Sequence, residues 1–65
     1  MNVLINQQPH QLPDGATLAQ AAEAIGARPP FATAVNLQFV PGSKLAQTPL
    51  HDGDKIEIIH PVTGG

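Results

Sequence analysis

The sequence contains no cysteine, no tryptophan and no tyrosine. Without cysteine, the chain can form neither a disulfide nor a thiolate metal site nor an iron–sulfur cluster. Phe31 and Phe39 are the whole aromatic content, which is too little for a protein that binds nucleic acid by base stacking. The largely apolar residues 1–5 are too few, and too poor in positive charge, to form a signal peptide.

Basic residues are also scarce, since the chain has only Arg28, Lys44 and Lys55. Together with five acidic residues they give a net charge of −2. Binding to a phosphate backbone requires a basic stripe, so we expect no nucleic acid partner. No apolar run approaches the ~18 residues of a membrane span. We therefore expect no membrane partner and a cytoplasmic location.

The length of 65 residues predicts one domain, residues 1–65, with no room for a second. A chain of this size buries only about 60% of its surface on folding, so a deep substrate pocket would compete with the core for the same side chains. The 42% hydrophobic content is ordinary for a globular domain. We expect a folded protein that is not itself an enzyme.

One helix is strongly indicated. Thr17 is a natural N-cap, and Gln20 three residues later completes a capping box. Gly26 supplies the left-handed position that ends a helix. Four apolar residues between these signals share one face at helical spacing: Leu18, Ala21, Ala22 and Ile25. The pattern predicts a helix of about nine residues whose apolar face packs on a sheet.

The remaining chain is typical of short strands. Residues 3–5 and 10–12 predict a hairpin with a turn at 6–8, and residues 34–37 and 39–40 predict two more strands. Residues 45–50 favour a loop with one helical turn. In the last strand, residues 55–60, Ile56 and Ile58 alternate with charged side chains. We expect an α+β fold with a mixed sheet, in which the apolar first and last strands are central, parallel neighbours.

The C-terminal tail, residues 60–65, carries the main functional prediction. Pro61 ends the strand and leaves four residues, Val62, Thr63, Gly64 and Gly65, that reach about 13 Å when extended. Glycine has no Cβ and adopts whatever angles a narrow channel imposes. A free α-carboxylate on Gly65 is a poor electrophile until it is adenylated, after which a sulfur nucleophile gives a thiocarboxylate. The alternative is a frayed terminus without a function.

Other polar residues do not form a recognisable catalytic or metal-binding pattern. Zinc needs three or four convergent ligands, and His10, His51 and His60 are not spaced for this. We expect no metal site. The alternative for His60, which lies near the tail, is a contact to a partner or to the bound nucleotide. The acidic residues near the last strand are typical of a solvated turn. No nucleophile motif and no phosphate-binding loop is present, so we expect no catalytic residue and no ATP bound by this chain.

A partner that activates the tail needs a surface on which to dock. Four residues provide more apolar surface than one helix covers: Leu37, Phe39, Val40 and Leu45. We predict that part of this set forms an exposed docking surface, and the alternative is that the set belongs to the core.

The sequence resembles the ubiquitin-like sulfur carriers, and within them the thiamine-biosynthesis branch. The resemblance covers the whole chain, and the run Gly-Asp-x-Ile-Glu-Ile followed by Pro-Val-x-Gly-Gly is its most specific part. Gly42 and Leu45 stand where the family often has an arginine and an aromatic residue. The matching segments are Ala34-Val35-Asn36, Val40-Pro41, Ser43, Thr48-Pro49-Leu50, Gly53-Asp54-Lys55-Ile56-Glu57-Ile58 and Pro61-Val62-Thr63-Gly64-Gly65.

This resemblance implies a β-grasp fold and three partners. An E1-like adenylyltransferase would adenylate Gly65 with ATP and magnesium, a cysteine desulfurase or another donor would supply sulfur, and thiazole synthase would accept it. Molybdopterin-type carriers share the motif but usually run longer. A ubiquitin-like modifier joined to lysines and a plain β-grasp interaction module remain alternatives.

Overall fold

A computed structural model describes residues 1–61 of the chain. Five strands form one mixed sheet in the order β2-β1-β5-β3-β4, and one α-helix packs on it. This arrangement confirms the predicted α+β class. The elements in chain order are β1 (Asn2–Ile5), β2 (Gln8–Gln11), α1 (Leu18–Ala24), β3 (Ala32–Val35), β4 (Gln38–Val40), a 3₁₀ helix (Gly42–Gln47) and β5 (Lys55–Ile59).

The last strand of the sequence lies in the middle of the sheet. β5 pairs in parallel with β1, where Ile5 is opposite Ile56, and antiparallel with β3, where Thr33 is opposite Ile58. The prediction that the first and last strands are parallel neighbours is confirmed. Parallel pairing of β1 and β5 requires a crossover connection, and the helix lies in that connection.

Both hairpins are closed by a two-residue turn in the left-handed region. Asn6 and Gln7 have φ of 51° and 69°, and Asn36 and Leu37 have φ of 50° and 70°. Such turns match the twist of the flanking strands. The predicted strand over residues 34–37 was therefore wrong at its end, because Asn36 and Leu37 form the turn. The predicted turn over residues 6–8 is one residue shorter.

The helix starts and ends on the predicted signals but is shorter than expected, with seven residues. The Thr17 N–H donates to Gln20 Oε1 at 2.8 Å. At the other end Gly26 has φ of 68°, and the Ala27 N–H donates to the Ala22 carbonyl at 3.0 Å. This is a Schellman ending, which takes Ile25 out of the helix.

The core lies between α1 and one face of the sheet. In β5, Ile56 and Ile58 point into the core while Lys55 and Glu57 are exposed, as the alternation predicted. Leu18 is completely buried, whereas Ile25 packs against the core only in part. The buried apolar residues are Val3, Ile5, Leu12, Ala16, Leu18, Ala21, Ala22, Leu50, Ile56 and Ile58.

The 3₁₀ helix begins three residues before the predicted loop. The segment after it is tied to the start of α1 by two backbone hydrogen bonds, from the Leu18 N–H to the Thr48 carbonyl and from the Leu50 N–H to the Ala16 carbonyl, both 2.9 Å. They bring Leu50 into the core. Among residues 1–61, no helix combines the length and hydrophobicity needed to cross a bilayer.

Candidate functional site

The predicted reactive tail, Val62, Thr63, Gly64 and Gly65, lies outside the described residues. The structure does describe how the chain reaches it, through Ile59, His60 and Pro61. The site is therefore built from the contacts that hold the end of β5.

On one side, β3 holds β5 to its final residue. Ala32 pairs with Ile59, and Thr33 pairs with Ile58. Thr33 is buried, and its hydroxyl donates to the Val40 carbonyl of β4 at 2.9 Å. This hydrogen bond satisfies the buried hydroxyl, which would otherwise oppose folding. The β3–β4 hairpin thus braces the last strand from one side.

On the other side, β1 ends earlier than β5. The Leu4 N–H donates to the Asp54 carbonyl, and the Asn6 N–H donates to the Ile56 carbonyl, both at 2.9 Å. The left-handed turn at Asn6 then takes the chain towards β2, so the next peptide groups of β5 have no β1 backbone opposite them. The Asn6 side chain takes that place: its Oδ1 accepts from the Ile58 N–H at 2.8 Å, and its Nδ2 donates to the Ile58 carbonyl at 3.2 Å.

The second hairpin repeats this arrangement at the start of β5. Asn36 occupies the same turn position, and its Oδ1 accepts from the Lys55 N–H while its Nδ2 donates to Asp54 Oδ1, both at 3.0 Å. Its own N–H donates to the Lys55 carbonyl at 2.7 Å. Two turn asparagines therefore hold opposite ends of the same strand.

Sequence reasoning missed this pair of contacts. A signal was present, because Ile5-Asn6-Gln7-Gln8 and Val35-Asn36-Leu37-Gln38 share a β-branched residue, an asparagine and a glutamine at matching positions. Asparagine tolerates the left-handed region and can bond to nearby backbone. The partner strand, however, is distant in sequence and is set by the topology.

One aromatic contact lies beside the base of the tail. The rings of Phe31 and His60 have centroids 5.8 Å apart and planes inclined by 65°. This edge-to-face arrangement is favourable for aromatic pairs. His60 is exposed, and its proposed contact with a partner stays a prediction.

The acidic residues before β5 act as structural caps. Asp52 Oδ1 accepts from the Asn2 N–H at 2.7 Å, and Asp54 Oδ2 accepts from the His51 N–H at 2.8 Å. These bonds close the turn that starts β5. The part of the chain that the structure describes holds no group of three or more residues placed to bind a metal ion.

The sheet face opposite the helix carries an exposed apolar patch. Because Thr33 and Ile58 face the core, their neighbours Ala32, Ala34 and Ile59 point to the other side. Phe39 of β4 is opposite Ala34. The side chains of Phe39 and Ile59 are 69% and 59% exposed. We call Ala32, Ala34, Phe39 and Ile59 the outer patch, and it reaches the residue from which the tail begins.

The four residues predicted for docking separate into two pairs. Phe39 belongs to the outer patch, and Leu37, at 88% exposure, lies in the β3–β4 turn. Val40 and Leu45 are half-buried and pack against the core, because Val40 is opposite the buried Thr33. Ile59, which the sequence analysis did not select, is exposed, whereas Val40 and Leu45 are not.

Leu37 combines full exposure with an unfavourable backbone. A φ of 70° is a conformation that glycine adopts readily and leucine rarely. No core packing compensates for this strain, since the side chain lies in solvent. Gln7 has nearly the same φ, 69°, at the second position of the other hairpin turn, so the geometry of the two-residue turn imposes this conformation.

A shallow cleft lies between β1 and β5, and its volume is about 220 Å³. This is below the roughly 300–1,000 Å³ of typical small-molecule pockets. Its walls are mixed in character and are formed by Leu4, Gln7, Lys55, Ile56 and Glu57.

Comparison with known proteins agrees with this geometry. The model of a family described as the ThiS family matches residues 3–65. A crystal structure of the thiamine biosynthesis protein ThiS from Geobacter metallireducens is 19% identical, with a TM-score of 0.81 and 100% of both chains covered. A solution structure of a thiamine biosynthesis protein from the same organism gives the same identity and TM-score and covers 100% of this chain and 88% of the other.

No curated protein sequence matches the chain. The two solved structures show that it has the ubiquitin-like β-grasp fold. The family match spans nearly all of the sequence, including the final Gly64-Gly65. The chain belongs to the ThiS family.

Proposed function

We propose that this protein is a cytoplasmic sulfur carrier in thiamine biosynthesis and that Gly65 is the residue that carries the sulfur. The observation that supports this most directly is the family match over residues 3–65, because it extends through Gly64-Gly65. The fold is consistent with a carrier, since the central strand β5 leads directly towards the tail.

The first step is activation of the Gly65 α-carboxylate by an E1-like adenylyltransferase with ATP and magnesium. A carboxylate oxygen attacks the α-phosphorus, pyrophosphate leaves, and an acyl-adenylate forms. Glycine suits this position because a chain without Cβ atoms passes through a narrow channel to the nucleotide. Pro61, Val62, Thr63 and Gly64 are the residues that would line up in that channel.

The second step replaces AMP by sulfur. The terminal sulfur of a persulfide, supplied by a cysteine desulfurase or another donor, attacks the acyl carbon, and AMP leaves. A thiol then reduces the resulting acyl disulfide, which releases the thiocarboxylate and a disulfide of the donor. Thiazole synthase accepts the sulfur, and the carrier returns to its carboxylate. The chain acts as a co-substrate of its partners, not as a catalyst.

The outer patch and Leu37 form the docking surface for the activating enzyme in this proposal. Interface cores are enriched in aromatic side chains and depleted in charged ones. Phe39 and Ile59 fit that description, and the exposed Glu57 opposite Ala34 borders the patch. Ile59 is the last residue of β5, so an enzyme bound there lies close to the start of the tail. Docking on the patch therefore brings the tail to the enzyme.

The intact mass of the protein tests this function. The chain is incubated with magnesium, ATP, an E1-like enzyme that is active on another carrier, and a persulfide donor with a thiol. We expect a mass increase equal to the replacement of one oxygen by sulfur. Two control chains, one lacking Gly65 and one with an alanine added after it, should show no increase while melting at the same temperature as the parent.

The outcomes separate the alternatives. A sulfur-loaded product from the chain that lacks Gly65 contradicts the assignment of the carrying residue. An isopeptide adduct on lysines, without a free thiocarboxylate, indicates a protein modifier. The absence of any product with a competent enzyme indicates a β-grasp interaction module.

A further inference from the structure

Different contacts hold the two sides of the end of β5, and they bear on the direction in which the tail leaves the sheet. On the β3 side the backbone ladder continues to Ile59. On the β1 side the backbone ladder stops at Ile56, and beyond it the two hydrogen bonds of the Asn6 side chain to Ile58 replace the next peptide of a strand.

We infer that Asn6 is a positioning residue for the reaction at Gly65: its side-chain amide fixes the end of β5 and so the direction of the tail. The inference rests on the proposed function, because it assigns a role to Asn6 in delivering the tail to the activating enzyme. Asn6 does not touch the reacting atoms. It acts through Ile58, seven residues before Gly65 in the sequence.

The geometry explains why one side chain has this effect. A strand bonded on both sides leaves the sheet in one direction, whereas a strand bonded on one side can twist away as an edge strand does. Asn6 bonds to both backbone polar groups of Ile58: its Oδ1 accepts from the N–H at 2.8 Å, and its Nδ2 donates to the carbonyl at 3.2 Å. Without it, the end of β5 becomes an edge strand two residues before the tail begins.

The effect on activation depends on the fraction of molecules in which the end of β5 points in the direction that the enzyme requires. When only a fraction of the molecules present the tail in the competent direction, the apparent affinity of the productive complex falls by that fraction. Two ordinary hydrogen bonds together affect an equilibrium by about tenfold or more, where tenfold corresponds to about 1.4 kcal/mol. We expect a loss of this size in kcat/KM of activation when the contacts of Asn6 are removed.

Asn36 provides a matched control. It occupies the same turn position with nearly the same φ, 50° against 51°, and its side chain also makes two hydrogen bonds to the β5 region. Those bonds lie at the start of β5, the end away from the tail. Asn6→Gly and Asn36→Gly both introduce a residue that tolerates the turn conformation. Both also delete a side-chain amide that makes two hydrogen bonds.

The test measures kcat/KM for carrier-dependent exchange of pyrophosphate into ATP by an E1-like enzyme, at a temperature where circular dichroism shows both variants folded. We expect Asn6→Gly to lower kcat/KM about tenfold and Asn36→Gly to leave it close to the parent value. Order parameters from ¹⁵N relaxation at Ile59 and His60 should fall in Asn6→Gly alone, from about 0.85 towards 0.6.

Equal losses of kcat/KM in the two variants would mean that Asn6 contributes only to stability, and this would overturn the inference. Unchanged kcat/KM in a folded Asn6→Gly would overturn it as well. If that variant does not fold, Asn6→Asp keeps the acceptor for the Ile58 N–H but loses the donor, and an intermediate loss of kcat/KM is expected.

Failure of the proposed function itself has a different result. In that case the parent chain supports no exchange, and both variants are equally inactive. The order parameters at Ile59 and His60 then decide whether Asn6 fixes the strand end, because they do not depend on the enzyme. Unchanged values in Asn6→Gly would overturn the positioning role on their own.

Discussion

Leu18 and Ile25 lie on the same face of the helical sequence but differ in burial, and this difference predicts unequal effects of truncation. Leu18→Ala removes about three carbon groups from a site with no exposed surface, each worth about 0.8 kcal/mol in transfer. The cavity left behind raises the total to about 3–4 kcal/mol. Ile25 is half-buried after the end of α1, so Ile25→Ala should cost about 1–1.5 kcal/mol.

These free energies correspond to large changes in melting temperature, because the chain is short. Unfolding entropy of about 2.1 cal/mol/K per residue gives about 0.14 kcal/mol/K for 65 residues. Leu18→Ala should therefore lower Tm by about 20–30 °C and Ile25→Ala by about 10 °C. The total stability expected for this length is roughly 3–10 kcal/mol, so Leu18→Ala removes a large part of it.

Far-UV circular dichroism is the appropriate assay, since the chain has neither tryptophan nor tyrosine for fluorescence. Thermal melts should start near 10 °C, where stability is close to its maximum, so that Leu18→Ala still shows a folded baseline. An unchanged m-value in urea titrations would show that the variants differ in stability and not in the surface exposed on unfolding. Equal costs for the two variants, or a cost below about 1 kcal/mol for Leu18→Ala, would refute the assigned burial.

Two further substitutions test the outer patch and the strained turn. Phe39→Ser should weaken binding to the activating enzyme about tenfold with little change in Tm. Val40→Ser, one residue along the same strand, should instead lower Tm, because Val40 packs against the core. Surface plasmon resonance measures the first effect and thermal melting the second, and unchanged affinity in Phe39→Ser would exclude Phe39 from the interface. Leu37→Gly should raise stability by about 0.5–1 kcal/mol by relieving the left-handed strain at φ 70°. Leu37→Ala is the control for Leu37→Gly, because it keeps the strain, and a lower Tm for Leu37→Gly would contradict this reasoning.

The helix was predictable because its signals are local. A capping box at Thr17 and a left-handed glycine at Gly26 act within a few residues, so the sequence contains both ends of the element. Even so, the Schellman ending placed the last helical residue at Ala24, and Ile25 became a half-buried cap. The end of a helix depends on which of its carbonyl groups accept hydrogen bonds from the closing turn, and the spacing of apolar residues does not contain that information.

The second hairpin shows where local propensity misleads. Val35, Asn36 and Leu37 look continuous with a strand, because leucine is apolar and rarely takes a positive φ. The turn nevertheless forms there, since the pairing of Val35 with Gln38 leaves two residues to reverse the chain. A register set by the whole sheet thus outweighed the preference of one leucine.

At the candidate site, the strand that leads to the tail was predictable, but the contacts that support the end of this strand were not. The glycine tail and the strand that leads to it follow from composition and alternation, and the family match agrees with them. The contacts of Asn6 with Ile58 join residues 52 positions apart, and no local pattern encodes such a distance. The docking prediction failed to distinguish Phe39 from Val40. Adjacent residues of a strand face opposite sides of the sheet, and which of the two is buried depends on which face of the sheet packs on the core.

The position of β5 has a consequence for how the protein is made. β5 is synthesised after the other four strands but lies at the centre of the sheet, and both hairpins pair with it. A chain that stops before Lys55 lacks the strand that joins the two hairpins, and it leaves exposed the apolar surface that Ile56 and Ile58 cover. We therefore expect the sheet to form only after β5 has been synthesised, and molecules truncated before this strand to stay unfolded.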